Sequence, residues 1–513
     1  MEKLVSPERR LVIAGAAASL LPLGATRAQS SPSVLNIAVP SEPGPLDSTP
    51  VTSDLLSEID QHVWETLYIF DPDFRFAPLL AAAMPDVTPD GKQMTIPLRS
   101  GVTFHDGTPM TADDVIASLQ RWGRLSPRGK LPASYVTSLE AVDPMTIRYT
   151  MKQPYAPLLA LLAFPNGSPA IMPKRIATAP DPLKEFVGTG PYKFAEQKPD
   201  QYVRLTRNPL YKSPPGAPNG YVGTRQPSIE ELRFLPVPNP TTRADGMLAG
   251  QYAFADNLTP ESYARLKDQP NVVAGLAKPA GWPLVIMNTK KGLMSNVLLR
   301  RAVQAAFNNK DALNAAFGEP PLWQLEGSIY PEGTDWFAPE APGYNQNDPT
   351  KAAALLKQAG YKGEAVRLLT TTQYDYQYKT AQVLQANMGD AGFKVDLQIT
   401  DWATLLQRRQ DENQWDIFTT AHGMVPDPSL ITILNPSYPG WWDTPDKRAA
   451  LDAFVTEPDH AKRIERWKAI QSLFYSEVPT IKVGSYFNTY AASKKLSGYT
   501  PGPWPAFWNA KLG

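Results

Sequence analysis

Residues 94–115 read Met-Thr-Ile-Pro-Leu-Arg-Ser-Gly-Val-Thr-Phe-His-Asp-Gly-Thr-Pro-Met-Thr-Ala-Asp-Asp-Val, and the rest of the chain is organised around this stretch. Apolar and polar side chains alternate over 94–99, which is the period of a half-buried β-strand. Gly101 allows a turn, so residues 102–104 are expected to return as a second short strand.

The second half of the stretch predicts a turn followed by a helix. Residues 105–109 are turn formers. Thr111 and Asp114 have the spacing of a capping box, in which a hydroxyl and an acid satisfy free backbone N–H groups at a helix start. The apolar residues that follow, up to Trp122, fall on one helical face. Strand, strand, turn and capped helix explain these residues without any catalytic role.

The composition indicates a soluble globular protein with more than one domain. A chain of 513 residues is too long for one hydrophobic core, so two or three domains are expected. The 50 Lys and Arg residues balance the 50 Asp and Glu residues, and no basic stripe indicates nucleic-acid binding. Cysteine is absent, which excludes disulfides, thiolate metal sites, cysteine nucleophiles and a lipid on an N-terminal cysteine.

The first 28 residues have the pattern of a cleavable secretory signal. Basic residues precede the apolar run 11–25, and small residues end it, which predicts cleavage after Ala28. The pair Arg9-Arg10 is a feature of the twin-arginine export route. No later segment is apolar enough to cross a bilayer. We therefore expect a free periplasmic protein, exported by the general secretory or the twin-arginine route.

The spacing within residues 98–115 also resembles the signature of family 5 extracellular solute-binding proteins, the dipeptide- and oligopeptide-binding receptors of bacterial ABC importers. The matching residues are Leu98-Arg99, Val102, Phe104-His105-Asp106-Gly107, Pro109, Thr111-Ala112 and Asp114-Val115. Further family elements are similar to residues 64–67, 188–194, 208–212, 284–307 and 503–509. The resemblance covers residues 34–513.

The resemblance implies an α/β protein with the two-lobed periplasmic-binding-protein fold (Venus-flytrap, type II-like) and an extra small peripheral domain. Alternating helix and strand patterns over 349–421 independently predict α/β packing with parallel strands. The implied division is a signal peptide at 1–28, lobe I at 29–73, peripheral domain II at 74–187, lobe I again at 188–285, lobe III at 286–488 and a return to lobe I at 489–513.

The sequence contains no motif that indicates an enzyme. A Gly-x-Ser-x-Gly elbow and a His-Glu-x-x-His helix are both absent. The four histidines lack metal spacing, so surface or packing roles are favoured for His62, His105, His422 and His460. We expect no catalytic residue, no metal site and no cofactor.

Residues 420–428 are the most informative about the ligand. Peptide-binding family members carry Gly-Trp-x-x-Asp here, whose aspartate meets the peptide ammonium and whose tryptophan lines a side-chain pocket. Met424 stands in place of that aspartate and Ala421 in place of the tryptophan, whereas Asp427 keeps the family's acidic-Pro pair. A less cationic and bulkier ligand is therefore expected, with a blocked amine if it is peptide-like. Asp427 is the alternative amine partner.

Tryptophan at loop-like positions supplies the remaining candidates, because solute sites often have aromatic walls. Trp441-Trp442 follows Pro439-Gly440, and a turn there would expose at least one ring. The expected ligand-binding residues are Trp402, Ala421, His422, Met424, Asp427, Trp441 and Trp442.

The function that these features imply is a monomeric periplasmic substrate-binding protein. It would close on a peptide or peptide-like solute by a hinge near 284–287 and 486–491 and deliver it to an inner-membrane ABC permease. Two groups of alternatives remain: a receptor of the same fold for an oligosaccharide, an opine-like conjugate or a metal chelate, and a periplasmic sensing or chaperone module. A secreted hydrolase would need a catalytic constellation that the sequence lacks.

Overall fold

The computed structural model of the protein describes residues 33–513, so the expected signal peptide lies outside the described residues. The strands are β1 (Val34–Val39), β2 (Tyr68–Phe70), β3 (Phe76–Pro78), β4 (Asp86–Val87), β5 (Gln93–Pro97), β6 (Val136–Asp143), β7 (Thr146–Met151), β8 (Tyr192–Lys198), β9 (Tyr202–Arg207), β10 (Glu231–Pro236), β11 (Phe254–Leu258), β12 (Val272–Met287), β13 (Trp323–Gln324), β14 (Ala365–Thr370), β15 (Lys394–Ile399), β16 (Ile417–Gly423), β17 (Thr480–Lys482), β18 (Ser485–Ser493), β19 (Leu496–Ser497) and β20 (Lys511–Leu512).

The helices are α1 (Asp54–Asp60), α2 (Ala112–Leu125), α3 (Lys130–Tyr135), α4 (Leu158–Ala163), α5 (Lys174–Ala177), α6 (Pro240–Leu248), α7 (Pro260–Leu266), α8 (Val297–Ala306), α9 (Asn309–Phe317), α10 (Pro349–Ala359), α11 (Asp375–Asp390), α12 (Trp402–Arg408), α13 (Pro445–Thr456) and α14 (His460–Glu477). None of the helices in residues 33–513 is long and apolar enough to cross a membrane.

The largest sheet joins two α/β regions through two long strands. Its order is β15-β14-β16-β12-β18-β11-β1-β10-β9-β8. At one end β14 runs parallel to both β15 and β16, and in the other half β1 runs parallel to β10 and β11. Between them β12 pairs antiparallel with β16 and with β18. The parallel pairing predicted from the helix–strand alternation is therefore present.

A separate four-stranded sheet, with the order β4-β5-β7-β6, contains residues 94–97 in its strand β5. Helix α2 follows it, and the capping box is present: the Asp114 carboxylate accepts from the backbone N–H of Thr111 at 2.9 Å. Val115, Leu119 and Trp122 are buried on one face of the helix.

The expected second strand at 102–104 is wrong. Strand β5 pairs instead with β4 and β7, and only an isolated bridge joins Thr103 to Pro109. The chain turns tightly here because the Asp106 carboxylate accepts from the N–H and hydroxyl of Thr108 at 3.0 and 2.7 Å. These local hydrogen bonds compete with strand pairing.

The helical spacing of apolar residues predicts a helix over about 55–67, but α1 is shorter and ends at Asp60. The carbonyls of His62 and Val63 accept from the backbone N–H groups of Tyr192 and Gly190, both at 2.9 Å. Gly190 is needed for this approach, since a Cβ there would lie 2.4 Å from the His62 oxygen. Hydrogen bonds to the segment at 190–192 thus replace the last turns of the predicted helix.

Candidate functional site

A cavity of about 660 Å³ lies against the edge of the large sheet where β16 ends. Its walls come from widely separated parts of the chain, between Pro40 and Trp504. Six aromatic side chains line it: Phe164, Tyr376, Trp402, Tyr438, Tyr486 and Trp504. Small-molecule sites in proteins have this size and this aromatic character. We call it the cleft.

The end of β16 forms one wall of the cleft, and it contains three of the predicted residues: Ala421, His422 and Met424. Pairing with β12 sets their positions, because Ala421 lies opposite Pro283 and His422 opposite Trp282. The ladder continues past the strand, since the Met424 N–H donates to the Ala280 carbonyl at 3.0 Å. The wall is therefore backbone-supported.

His422 is held as a neutral side chain. Its Nδ1 bonds the Gly423 carbonyl at 2.5 Å, and its Nε2 accepts from the Thr432 N–H at 3.0 Å. Burial lowers the pKa of His422 to about 4, against the effect of the bond to Gly423, and the charge of Arg128 lowers it further. Both ring nitrogens have backbone partners, so the imidazole is not free to ligate a metal.

Aromatic stacking shapes a second wall. The rings of Phe317 and Tyr486 stack with centroids 4.9 Å apart, and Tyr376 stacks on Tyr486 at 6.2 Å. Trp402, at the start of α12, packs edge-on against Tyr374 at 5.0 Å. These contacts hold flat apolar surfaces in place without filling the cleft.

Charged side chains of both signs also line the cleft. The acids are Asp54, Glu58 and Asp256, and the bases are Arg128 and Arg409. Burial lowers the pKa of Arg128 to about 10, although the charge of Asp54 acts in the opposite direction. Burial raises the pKa of Asp256 to about 6 and that of Glu58 well above its usual value, and the two carboxyl groups repel each other.

Asp427 lies outside the cleft lining and is already paired. Its carboxylate accepts from Arg463 Nη1 at 2.8 Å and Nη2 at 3.1 Å, and from the Ser429 N–H and hydroxyl at 2.9 and 2.6 Å. Burial alone would raise its pKa, but Arg463 and Ser429 hold the pKa of Asp427 below its usual value. Both oxygens of this carboxylate are therefore used in hydrogen bonds within the protein.

Trp441 and Trp442 also lie away from the cleft. Trp441 has the left-handed backbone of a turn, with φ 48°, but its ring stacks on Trp415 with centroids 5.5 Å apart. The Trp442 indole donates to Glu477 Oε2 at 2.6 Å and is buried. Of the predicted site residues, the structure thus brings Trp402, Ala421, His422 and Met424 together.

The charged groups of the cleft were missed by sequence reasoning. Glu58 lies in the short helix α1, Asp256 in a short strand, and Arg409 just after α12. No motif links these positions. Among residues 33–513, no group of three or more His, Asp or Glu side chains is arranged to hold a metal ion.

Comparison with known proteins agrees with the resemblance seen in the sequence. The family described as "Bacterial extracellular solute-binding proteins, family 5 Middle" matches residues 75–443. A probable peptide ABC transporter periplasmic-binding protein of Sinorhizobium fredii is 27% identical, covering 87% of each chain. The glutathione-binding protein GsiB of Pectobacterium atrosepticum is 26% identical, covering 97% of each.

A solved structure supports the fold. NikA from Brucella suis, in complex with Fe(III)-EDTA, superposes with a TM-score of 0.79 at 21% identity, covering 94% of this chain and all of the other. The mixed α/β fold predicted from the sequence is confirmed by this likeness. Since the family match spans most of the sequence, the protein belongs to the family 5 bacterial extracellular solute-binding proteins.

Proposed function

We propose that the protein is the periplasmic receptor of an ABC importer and captures a peptide or peptide-like solute in the cleft. The observation that carries this proposal is the cleft itself: about 660 Å³, aromatic on several sides, with a small number of charged groups. Apolar surface supplies affinity and placed polar groups supply selectivity in such sites. Trp402, Ala421, His422 and Met424 are the ligand-contacting residues predicted from the sequence that line it.

Relatives support the solute class. Of the two reported above, one is named as a probable peptide-transporter binding protein and the other as a glutathione-binding protein. A solute of that size fits the volume of the cleft. We infer that binding needs no covalent chemistry, so the protein acts without a catalytic residue or cofactor.

The remaining expectations complete the proposal. The receptor works as a monomer with an inner-membrane permease and has no nucleic-acid partner. Its signal peptide is removed after Ala28, outside the described residues, so the mature chain begins at Gln29. N-terminal sequencing of periplasmic protein should find Gln29, and intact Met1 in a membrane fraction would contradict export with cleavage.

Closure about a hinge is the proposed mechanism. The predicted hinge segments 284–287 and 486–491 belong to β12 and β18, the pair that joins the two halves of the large sheet. Their register shifts between Ala277 and Gly281, so the ladder is interrupted close to the cleft. A small rotation there would bring the aromatic walls together around a solute.

The test is to identify a carried solute and follow closure. Native mass spectrometry of protein purified from its host should show a bound solute. Added back at about 100 times its dissociation constant, that solute should stabilise the protein by roughly 2.7 kcal/mol. It should also reduce the radius of gyration in X-ray solution scattering. A tight ligand that leaves the scattering curve unchanged would refute closure, and binding of no solute of any class would refute the receptor function.

A further inference from the structure

We call the part of the cleft lined by Asp54, Glu58 and Asp256 the acidic wall. It contains a buried carboxyl group with one oxygen that has no hydrogen-bond partner. Glu58 is 2% exposed and lines the cleft, and its Oε1 has no hydrogen-bond partner among residues 33–513. No ion pair joins Glu58 to a cation among the residues whose side chains the structure describes, 33–277 and 280–513. Leaving a buried acid unpaired is costly, so such a group requires an explanation.

A second carboxyl group on the same wall increases that cost. Asp256 interacts with Glu58 strongly enough to raise its pKa, an effect that adds to burial. The positive charge of Arg243 lowers the pKa of Asp256 and so offsets part of the effect of burial there. Its guanidinium donates to the backbone carbonyls of Val237, Asp256 and Asn257 at 2.6 to 3.1 Å. The pKa of Glu58 is raised by burial and by Asp256, with no cation acting against them, so positive charge beside Glu58 is favoured.

The third acid marks the edge of this wall. Asp54 Oδ1 accepts from the Asn166 amide at 2.7 Å and from the Trp504 indole at 2.8 Å. Trp504 therefore presents a flat aromatic ring beside the acids, and aromatic faces also attract cations. The negative charge of Asp54 is partly balanced by Arg128, whose pKa it raises. Arg243 offsets part of the charge of Asp256, whereas no cation acts on the pKa of Glu58.

From these contacts we propose that Glu58 and Asp256, with Asp54 at the edge, form a subsite for an ammonium or guanidinium group of the solute. The proposal rests on the receptor function proposed above and adds the charge of the ligand. A metal ion is a poor occupant, since no described cluster of three or more ligating side chains surrounds the site. An organic cation needs only two or three carboxylate oxygens and an aromatic face.

This subsite replaces the expectation of a blocked amine. That expectation depended on Met424 alone, which stands where peptide-binding relatives carry the amine-binding aspartate. Glu58 and Asp256 lie in α1 and β11, whereas Met424 directly follows β16. The negative charge that the amine needs is thus supplied from different elements.

The experiment compares matched charged and neutral probes. Wild-type protein is screened by thermal unfolding with di- and tripeptides, their N-acetylated forms, oligosaccharides and lysine- or arginine-containing conjugates, followed by calorimetry on the compounds that stabilise it. We expect those compounds to carry a free ammonium or guanidinium group. We expect Glu58→Gln and Asp256→Asn each to raise their dissociation constants by about tenfold or more.

Controls separate the subsite from folding and from the receptor function. Glu261→Gln removes the same charge from an exposed position on α7 outside the cleft and should leave binding unchanged. Circular dichroism shows whether each variant folds. If one of the two acid variants does not fold, the dissociation constants of the other test the subsite. Equal binding of acetylated and free probes, unchanged affinity in both acid variants, or failure of all cationic probes would overturn the subsite. Binding of uncharged solutes in those cases would leave the receptor function standing, whereas binding of nothing at all would overturn both.

Discussion

Replacing Arg463 by methionine should destabilise the fold far more than the same change at a neighbouring arginine. Arg463 and Asp427 form a two-bond ion pair with side chains only 7% and 1% exposed. Removing one partner of a buried pair costs about 3 to 5 kcal/mol, because the other charge stays buried without compensation. We therefore expect Arg463→Met to lower the free energy of unfolding by roughly that amount.

Helix α14 offers the matched control. Arg466 lies on the same helix and pairs with Glu457 at 2.7 Å, but its side chain is 42% exposed. Exposed pairs contribute about 1 kcal/mol or less, so Arg466→Met should have a small effect. The assay is urea unfolding followed by tryptophan fluorescence and circular dichroism. Equal losses in the two variants would refute the argument that burial decides the cost.

The pH dependence gives an independent check on the same pair. In the wild type the pKa of Asp427 is held below its unfolded value, so its stabilisation is present above about pH 4 and is lost as the pH falls further. Without Arg463, burial should raise that pKa, and the variant should regain stability on protonation. The gap between wild type and Arg463→Met should therefore narrow as the pH falls from 7 to 3. A gap independent of pH would show that lost packing, not charge, causes the effect.

Three further predictions use the same unfolding assay. Burial lowers the pKa of Lys482 to about 8, so wild-type stability should rise between about pH 8 and 10, and Lys482→Met should lack this rise. Burial lowers the pKa of His105 to about 4, so the folded protein excludes a proton that the unfolded chain binds below about pH 6.5. The stability gap between wild type and His105→Gln should narrow by about 1.4 kcal/mol per pH unit from 6.5 towards 4, and a constant gap would contradict a neutral imidazole. Gly281→Ala should destabilise the protein, because a Cβ there would lie 2.4 Å from a backbone oxygen. Gly423→Ala should not, because a Cβ at that position would meet nothing closer than 4.0 Å. Equal losses of stability in the two variants would contradict the steric argument.

Local rules predicted the elements well where local chemistry decides them. Asp348-Pro349 is the sequence pattern of a helix start and Gly360 that of a helix end. In the structure the Asp348 side chain accepts from the Lys351 N–H as the helix cap, and Gly360 ends the helix with φ 72°. The sequence likewise predicts a strand over 394–399, and β15 has those bounds, Lys394–Ile399. Each of these depends on residues within one or two turns of chain.

Predictions failed where a distant segment supplies the partner. The turn before Trp441 is present, but its half-buried ring stacks on Trp415, 26 positions earlier, so its place away from the cleft could not be inferred from the turn. Likewise the chain after α1 does not continue the helix, because the backbone N–H groups of Gly190 and Tyr192 donate to the carbonyls of Val63 and His62. Glu58 illustrates the same limit in the site: its helix position is clear in the sequence, but its burial without a cation depends on strand β11 and on the chain near 504.

The selectivity of the cleft follows from the sum of its charges and not from one family position. Under the proposed function, Met424 stands where peptide-binding relatives carry an aspartate, while the acidic wall contains Glu58 and Asp256 and the lining also contains Arg128 and Arg409. Charges that line a cleft at low dielectric act on one another over several ångströms. A ligand with separated positive and negative groups can satisfy both signs at once, whereas a purely anionic or neutral ligand leaves the acids uncompensated. On the proposed subsite, a methionine in place of the family's aspartate changes where an amine is expected to lie, and it does not by itself remove the expected preference for one.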